Sequence, residues 1–154
     1  YVSIDVAASH HATLAYLFKQ SGDYTRAGEE ALRVFRLQPE NPEVVQFVEL
    51  LFAKIPSDPI ITSNLAFIYA QPGPQQQAQK AISIYSQLIA NYPNNPDYRW
   101  RLIEIYYDQK DYDRAYANAI IMLEILPNQK EGVENFIKQM PPVHWSNYQK
   151  KFGF

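Results

Sequence analysis

A chain of 154 residues is the size of one domain and long enough to bury a core. Its composition, 47% hydrophobic and 19% charged, is that of an ordinary globular protein, and a net charge of -2 without any Lys/Arg run excludes an electrostatic case for nucleic acid. The absence of Cys removes disulfides, thiolate zinc sites and cysteine nucleophiles, and no apolar run approaches the roughly 18 residues of a membrane helix.

Helices can be read in order along the chain. Leu14, Leu17 and Phe18 at helical spacing predict a first helix over 9–20, broken by Ser21-Gly22-Asp23. A second runs from Tyr24 to Leu37, with Ala27, Ala31, Val34 and Phe35 on one narrow face and Pro39 beyond it. Asn41-Pro42 starts a third, to Ile55, with Val45, Val48 and Phe52 on its stripe. Asp58-Pro59 repeats that start signal for a fourth, to Ala70. Gln71–Gln77 has linker composition; a fifth helix follows, to Asn91. Asn95-Pro96 begins a sixth, Asp111–Leu126 is a seventh and Asn128–Met140 an eighth, stopped by Pro141-Pro142. The tail 141–154 is aromatic, with Trp145, Tyr148 and Phe152 spaced as on one helix face and Phe154 at its end. No period-2 pattern argues for a strand. The fold class is all-α, with about eight antiparallel helices.

The chain also resembles itself. Gly22-Asp23-Tyr24-Thr25-Arg26-Ala27 matches Lys110-Asp111-Tyr112-Asp113-Arg114-Ala115, and Pro39 and Pro127 each lie 12 positions after the Ala. Ala81, Tyr85 and Pro93 form a third copy, and Ala81 and Ala115 lie 34 positions apart. On the preceding helices Leu14-Ala15 with Phe18, Leu65-Ala66 with Tyr69, and Leu102-Ile103 with Tyr106 share one pattern. These residues resemble tetratricopeptide repeats, whose period is 34. The resemblance implies an α-solenoid. The domain reading is a repeat region 1–140, with copies at 8–39, 59–93 and 96–127, an extra helix 42–55 after the first copy and a capping helix 128–140. The spacing from Ala27 to Ala81 is 54 positions, so either the extra helix closes off the first pair or it pairs with the fourth helix.

Carried over from the family, the groove positions of each first helix are Ser9, Ala12, Tyr16 and Lys19; Ile60, Ser63, Phe67 and Ala70; and Asp97, Trp100, Glu104 and Tyr107. Tyr16, Lys19, Phe67, Trp100, Glu104 and Tyr107 are the candidate partner-binding residues, with Trp145, Tyr148 and Phe152 as a possible tail contact. The alternative for each aromatic is packing against neighbouring helices, and for the tail a cap on the end of the stack. The basic clamp by which some family members grip an acidic C-terminal peptide of chaperones is not matched, since Ala12, Tyr16 and Asp97 stand there.

No enzyme signature emerges. His10 and His11 point about 100° apart on a helix and are poorly placed to share a metal; His144 stands alone. Glu104, Asp108, Asp111 and Asp113 suit solvation and capping, and Gly22 and Gly73 form no phosphate loop. The reading is therefore a non-catalytic protein-interaction scaffold, with no cofactor, metal or nucleic acid, and a protein or peptide as partner. An alternative is an appendage of a larger bacterial membrane or envelope protein, which the start at Tyr1 rather than Met suits; no signal peptide is visible, and cytoplasm and periplasm stay open. A third is a small-molecule or glycan module using Phe67, Trp100 and Tyr107. The repeat phasing puts Ala115 at a close helix contact: Ala115→Trp should cost roughly 1–3 kcal/mol or more, read as a lower melting temperature, and an unchanged melting temperature would overturn that phasing.

Overall fold

The computed structural model describes residues 3–153, so Phe154 lies outside the described residues. Among these there are nine α-helices and no strand: α1 (Ile4–Gln20), α2 (Tyr24–Leu37), α3 (Pro42–Lys54), α4 (Pro59–Ala70), α5 (Ala78–Asn91), α6 (Pro96–Asp108), α7 (Tyr112–Ile125), α8 (Lys130–Ile137) and α9 (Pro142–Phe152). A short 3-10 turn, Pro127–Gln129, precedes α8.

The helix starts follow from the need to satisfy the first backbone N–H groups. The Oδ1 atoms of Asn41, Asp58 and Asn95 accept the N–H of Glu43 (3.0 Å), Ile60 (2.8 Å) and Asp97 (3.0 Å), each with Pro at the first helical position. The other Asp58 oxygen receives the Thr25 hydroxyl at 2.6 Å, tying the start of α2 to the start of α4.

Three boundaries differ from the sequence reading. Helix α1 starts at Ile4 instead of Ser9, because Ser3 caps it, its Oγ accepting the Val6 N–H at 3.2 Å. The eighth helix is shorter than 128–140, its first residues forming the 3-10 turn. The aromatic tail is a ninth helix. Pro142 does not merely stop α8: it occupies the first turn of α9, which ends at Gly153 in the left-handed region, φ 77°.

The two matched turns have the same geometry. Gly22 has φ 82° and Lys110 has φ 60°, and the following residues, Asp23 and Asp111, donate their N–H to the carbonyls of Phe18 (2.9 Å) and Tyr106 (2.8 Å). Asp23 and Asp111 then accept the N–H of Arg26 (3.1 Å) and Arg114 (3.2 Å) as caps of α2 and α7. The left-handed turn residue is thus the structural basis of the Gly22/Lys110 correspondence.

The chain forms two compact units, one up to Ile84 and one from Tyr85, with the boundary inside α5. In the first, α1 packs along α2, and α3 and α4 pack on α2 and on each other. Its interior includes Ala8, Ala15, Ala27, Ala31, Val48, Leu51, Ile61 and Ile68. Phe18, Tyr24, Phe47 and Phe52 close around Ala27, Leu51 and Ile61. In the second unit α6 packs along α7 and α7 on α8. Its core joins Ile103, Ala115, Ala119, Met122, Val133, Ile137 and Tyr148.

Lys110 is the one non-glycine with positive φ among the described residues. Left-handed backbone costs a side-chain-bearing residue about 1–2 kcal/mol, while glycine loses more freedom on folding. Lys110→Gly should therefore stabilise by up to about 1 kcal/mol, read as a raised denaturation midpoint at unchanged urea dependence.

Candidate interaction surfaces

In the first unit a cleft of about 170 Å³ opens between α1, α2 and α3, lined by Ala12, Ala15, Ala31, Val34, Asn41, Glu43, Val44 and Phe47. It exists because α1 and α2 present alanine where the large side chains of α3 approach. Lys19 lies over the Phe47 ring, 5.5 Å from its centroid, so its charge sits beside the cleft. Of the expected groove residues on α1, Ala12 lines the cleft and Lys19 borders it. Tyr16 is 56% exposed.

Close to this cleft lies a charge cluster that spacing along the chain does not reveal. Glu30 is buried on α2 and accepts from His11 Nδ1 at 2.6 Å and from Arg33. The pair is 19 positions apart and forms only when α1 lies on α2. His11 is thereby a structural partner of Glu30, while its neighbour His10 is exposed. Phe67 is half-buried under Arg36, whose guanidinium stands 5.4 Å from the ring centroid. On α4, Tyr69 donates its hydroxyl to Glu49 of α3. Burial, then that carboxylate, raise the Tyr69 phenol well above its ordinary range.

In the second unit the aromatic candidates are held by their neighbours. Trp100 donates Nε1–H to Gln129 Oε1 at 3.1 Å and meets Phe136 edge-on, centroids 5.7 Å apart. Gly132 lets α8 cross this indole: a Cβ there would lie 3.3 Å from a Trp100 ring carbon. Tyr107 packs against Phe136 at 5.1 Å and Tyr112 at 5.4 Å. Glu104 is exposed and paired with Arg101 at 3.0 Å. Trp100 and Tyr107 therefore join one aromatic cluster with α8.

Helix α9 brings the tail candidates onto α7 and α8. Tyr148 is fully buried in the core of the second unit and donates to Glu134 Oε1 at 2.8 Å. Trp145 stacks on Tyr148 at 5.2 Å beneath the Lys138 ammonium, and Phe152, partly exposed, adjoins Tyr148 at 4.6 Å. His144 is buried, with Nε2 3.0 Å from Asp113 of α7 and Nδ1 3.2 Å from the Pro141 carbonyl oxygen. Among the described residues no group of three His, Asp or Glu side chains is placed to hold a metal, and no helix is long and apolar enough to cross a membrane.

The tetratricopeptide repeat family model matches residues 75–130, which span α5, α6 and α7. No curated protein sequence matches the chain. Solved structures of MamA share its fold. A MamA mutant superposes with a TM-score of 0.55 at 15% identity, over 96% of this chain and 84% of that one. MamA from AMB-1 does so at 0.51 and 16%, over 97% and 84%. MamA from MSR-1 gives 0.50 and 16%, over 95% and 87%. The fold is thus the all-α helical-repeat solenoid that the internal periodicity indicated.

Burial, and secondarily the Glu134 carboxylate, push the Tyr148 phenol up to about 12. A pKa raised above the unfolded value of about 10 stabilises the fold fully below pH 10, and that stabilisation is lost as pH climbs through 12. Tyr148→Phe should cost about 1–2 kcal/mol at neutral pH and make the loss of stability between about pH 10 and 12 shallower, as measured by urea melts.

Proposed function

We propose that this tetratricopeptide-repeat chain is a non-catalytic scaffold that holds a partner protein by seating an apolar side chain of it in the cleft between α1, α2 and α3. The observation that carries this reading is the shape of that cleft. At about 170 Å³ it is smaller than the roughly 300–1,000 Å³ of small-molecule and cofactor sites, and it suits a single side chain. Its floor of Ala15 and Ala31 and its walls of Val34, Val44 and Phe47, with Ala12 at the mouth, offer apolar contact. Asn41, Glu43 and Lys19 at the rim offer polar contacts to a backbone passing over it.

The aromatic positions of the second unit support this choice by their engagement elsewhere. Trp100 is bonded to Gln129 and packed on Phe136, and Tyr107 is packed on Phe136 and Tyr112. Their role in this reading is to hold α8 on α6. A glycan platform would need such a ring face turned to solvent.

The test compares retention of partners from the source cell by wild type, Ala12→Arg and Trp100→Ala/Tyr107→Ala. Ala12 is exposed at the cleft mouth, so arginine there fills the opening without entering the core. Ala12→Arg should lose the retained protein at unchanged melting temperature. The double variant should melt several degrees lower, yet retain the partner when assayed below its transition. Retention by Ala12→Arg would overturn the cleft as the binding surface.

A further inference from the structure

Two helix seams built on the same repeat register differ in one charge. His11 and Arg99 lie 16 positions before the matched alanines Ala27 and Ala115, and Glu30 and Asn118 lie three positions after them. Around these positions the two copies agree contact by contact. Arg26 stands over the Phe18 ring at 4.9 Å and pairs with Asp23 at 2.6 Å. Arg114 stands over the Tyr106 ring at 5.7 Å and pairs with Asp111 at 3.4 Å. Across the seam His11 Nδ1 meets Glu30 at 2.6 Å, and Arg99 Nη1 donates to Asn118 Oδ1 at 3.2 Å. Each base therefore reaches the same position of the following helix.

What the base finds there is different. In the first unit it is a buried carboxylate, shared by His11 and Arg33. In the second it is a neutral amide, and Ile121, 40% exposed, stands at the register of Arg33. Asn118 Nδ2 donates to the Arg114 carbonyl at 3.0 Å, which holds the amide with its oxygen toward Arg99. The Arg99 guanidinium is half-buried, and among the described residues no carboxylate pairs with it. Burial, with no charged neighbour to offset it, lowers its pKa from the ordinary arginine value. A desolvated guanidinium is costly unless its charge and its donor fork are both met, and a single bond to an amide oxygen leaves most of the fork unspent.

The group that completes the second seam is the one that the first carries within itself. A planar carboxylate matches a guanidinium in two parallel bonds. The exposed Ile121 side chain, one turn beyond Asn118 on α7, offers apolar surface to the methylenes that carry such a group. We propose that Arg99 and Asn118 on the α6–α7 seam form a binding site for a carboxylate on an aliphatic chain, which takes the place that Glu30 holds in the first repeat. The site lies wholly in the second unit and stands or falls independently of the cleft in the first.

Side-chain NMR of the whole chain tests it, following the Arg99 Nε–H and Asn118 amide resonances. The probes are sodium butyrate and a tripeptide with one central glutamate and blocked ends, with sodium chloride at matched ionic strength as the control. The expected result is a saturable shift of both resonances with either carboxylate and none with chloride. Tighter binding of the tripeptide makes a peptide side chain the source of the carboxylate, and equal binding makes it a free acid; both support the site. Arg99→Gln, followed through the Asn118 amide, should weaken binding about tenfold or more, because a charge-assisted pair is lost. Asn118→Glu should also lose binding, since the variant supplies its own carboxylate to Arg99. It should at the same time melt higher than wild type, which separates internal pairing from damage to the fold. No saturable shift with either carboxylate, an equal shift with chloride, undiminished binding by Asn118→Glu, or a lower melting temperature of that variant would overturn the proposal.

Discussion

The fold depends on alanine at the crossings between paired helices. Ala15 on α1 and Ala27 and Ala31 on α2 are fully buried in the first unit, as are Ala115 and Ala119 on α7 in the second. A methyl group at these points lets backbones come together at the short end of helix-packing distances. Close axes in turn fix what the larger residues must do. Phe18 and Phe47 pack against the cluster of Ala27, Leu51 and Ile61, and Ile103 and Met122 share the core cluster of Ala115. The cleft of the first unit is the same constraint seen from outside. Ala12, Ala15 and Ala31 leave a hollow where α3 begins, because side chains small enough for the crossing are too small to fill the space beside it.

Once the axes are close, the polar groups carried into the seams need partners, and the tyrosines and histidines find them across helices. Tyr69 reaches Glu49 and Tyr148 reaches Glu134, each phenol donating to a carboxylate of another helix. His11 meets Glu30 and His144 meets Asp113 in the same way. A chain with 12 Tyr and 5 Gly thus builds its specificity from aromatic residues with a polar tip: the ring supplies buried area and the tip fixes the register between helices. The aromatic richness belongs mainly to the seams of the structure, which is why Trp100, Tyr107 and Tyr148 are held among neighbours instead of lying open.

How much of this was legible depended on the range of the signal. Helix starts were readable because they are local: Asn41-Pro42, Asp58-Pro59 and Asn95-Pro96 carry both the cap and the proline within two residues. Pro142 carries the same signal, since a proline that ends one helix also suits the first turn of the next. The start of α1 at Ser3 has no such signal, because Ile4 and Val6 are exposed and the apolar periodicity of the helix begins later. The pairs His11–Glu30 and Tyr148–Glu134 had no local signal, since chain distances of 19 and 14 positions become contacts only after the helices pack. The groove positions carried over from the repeat pattern show the same limit: Ala12 lines the cleft of the first unit and Lys19 lies over Phe47, whereas Trp100 and Tyr107 pack with Gln129 and Phe136, contacts that no local spacing signals.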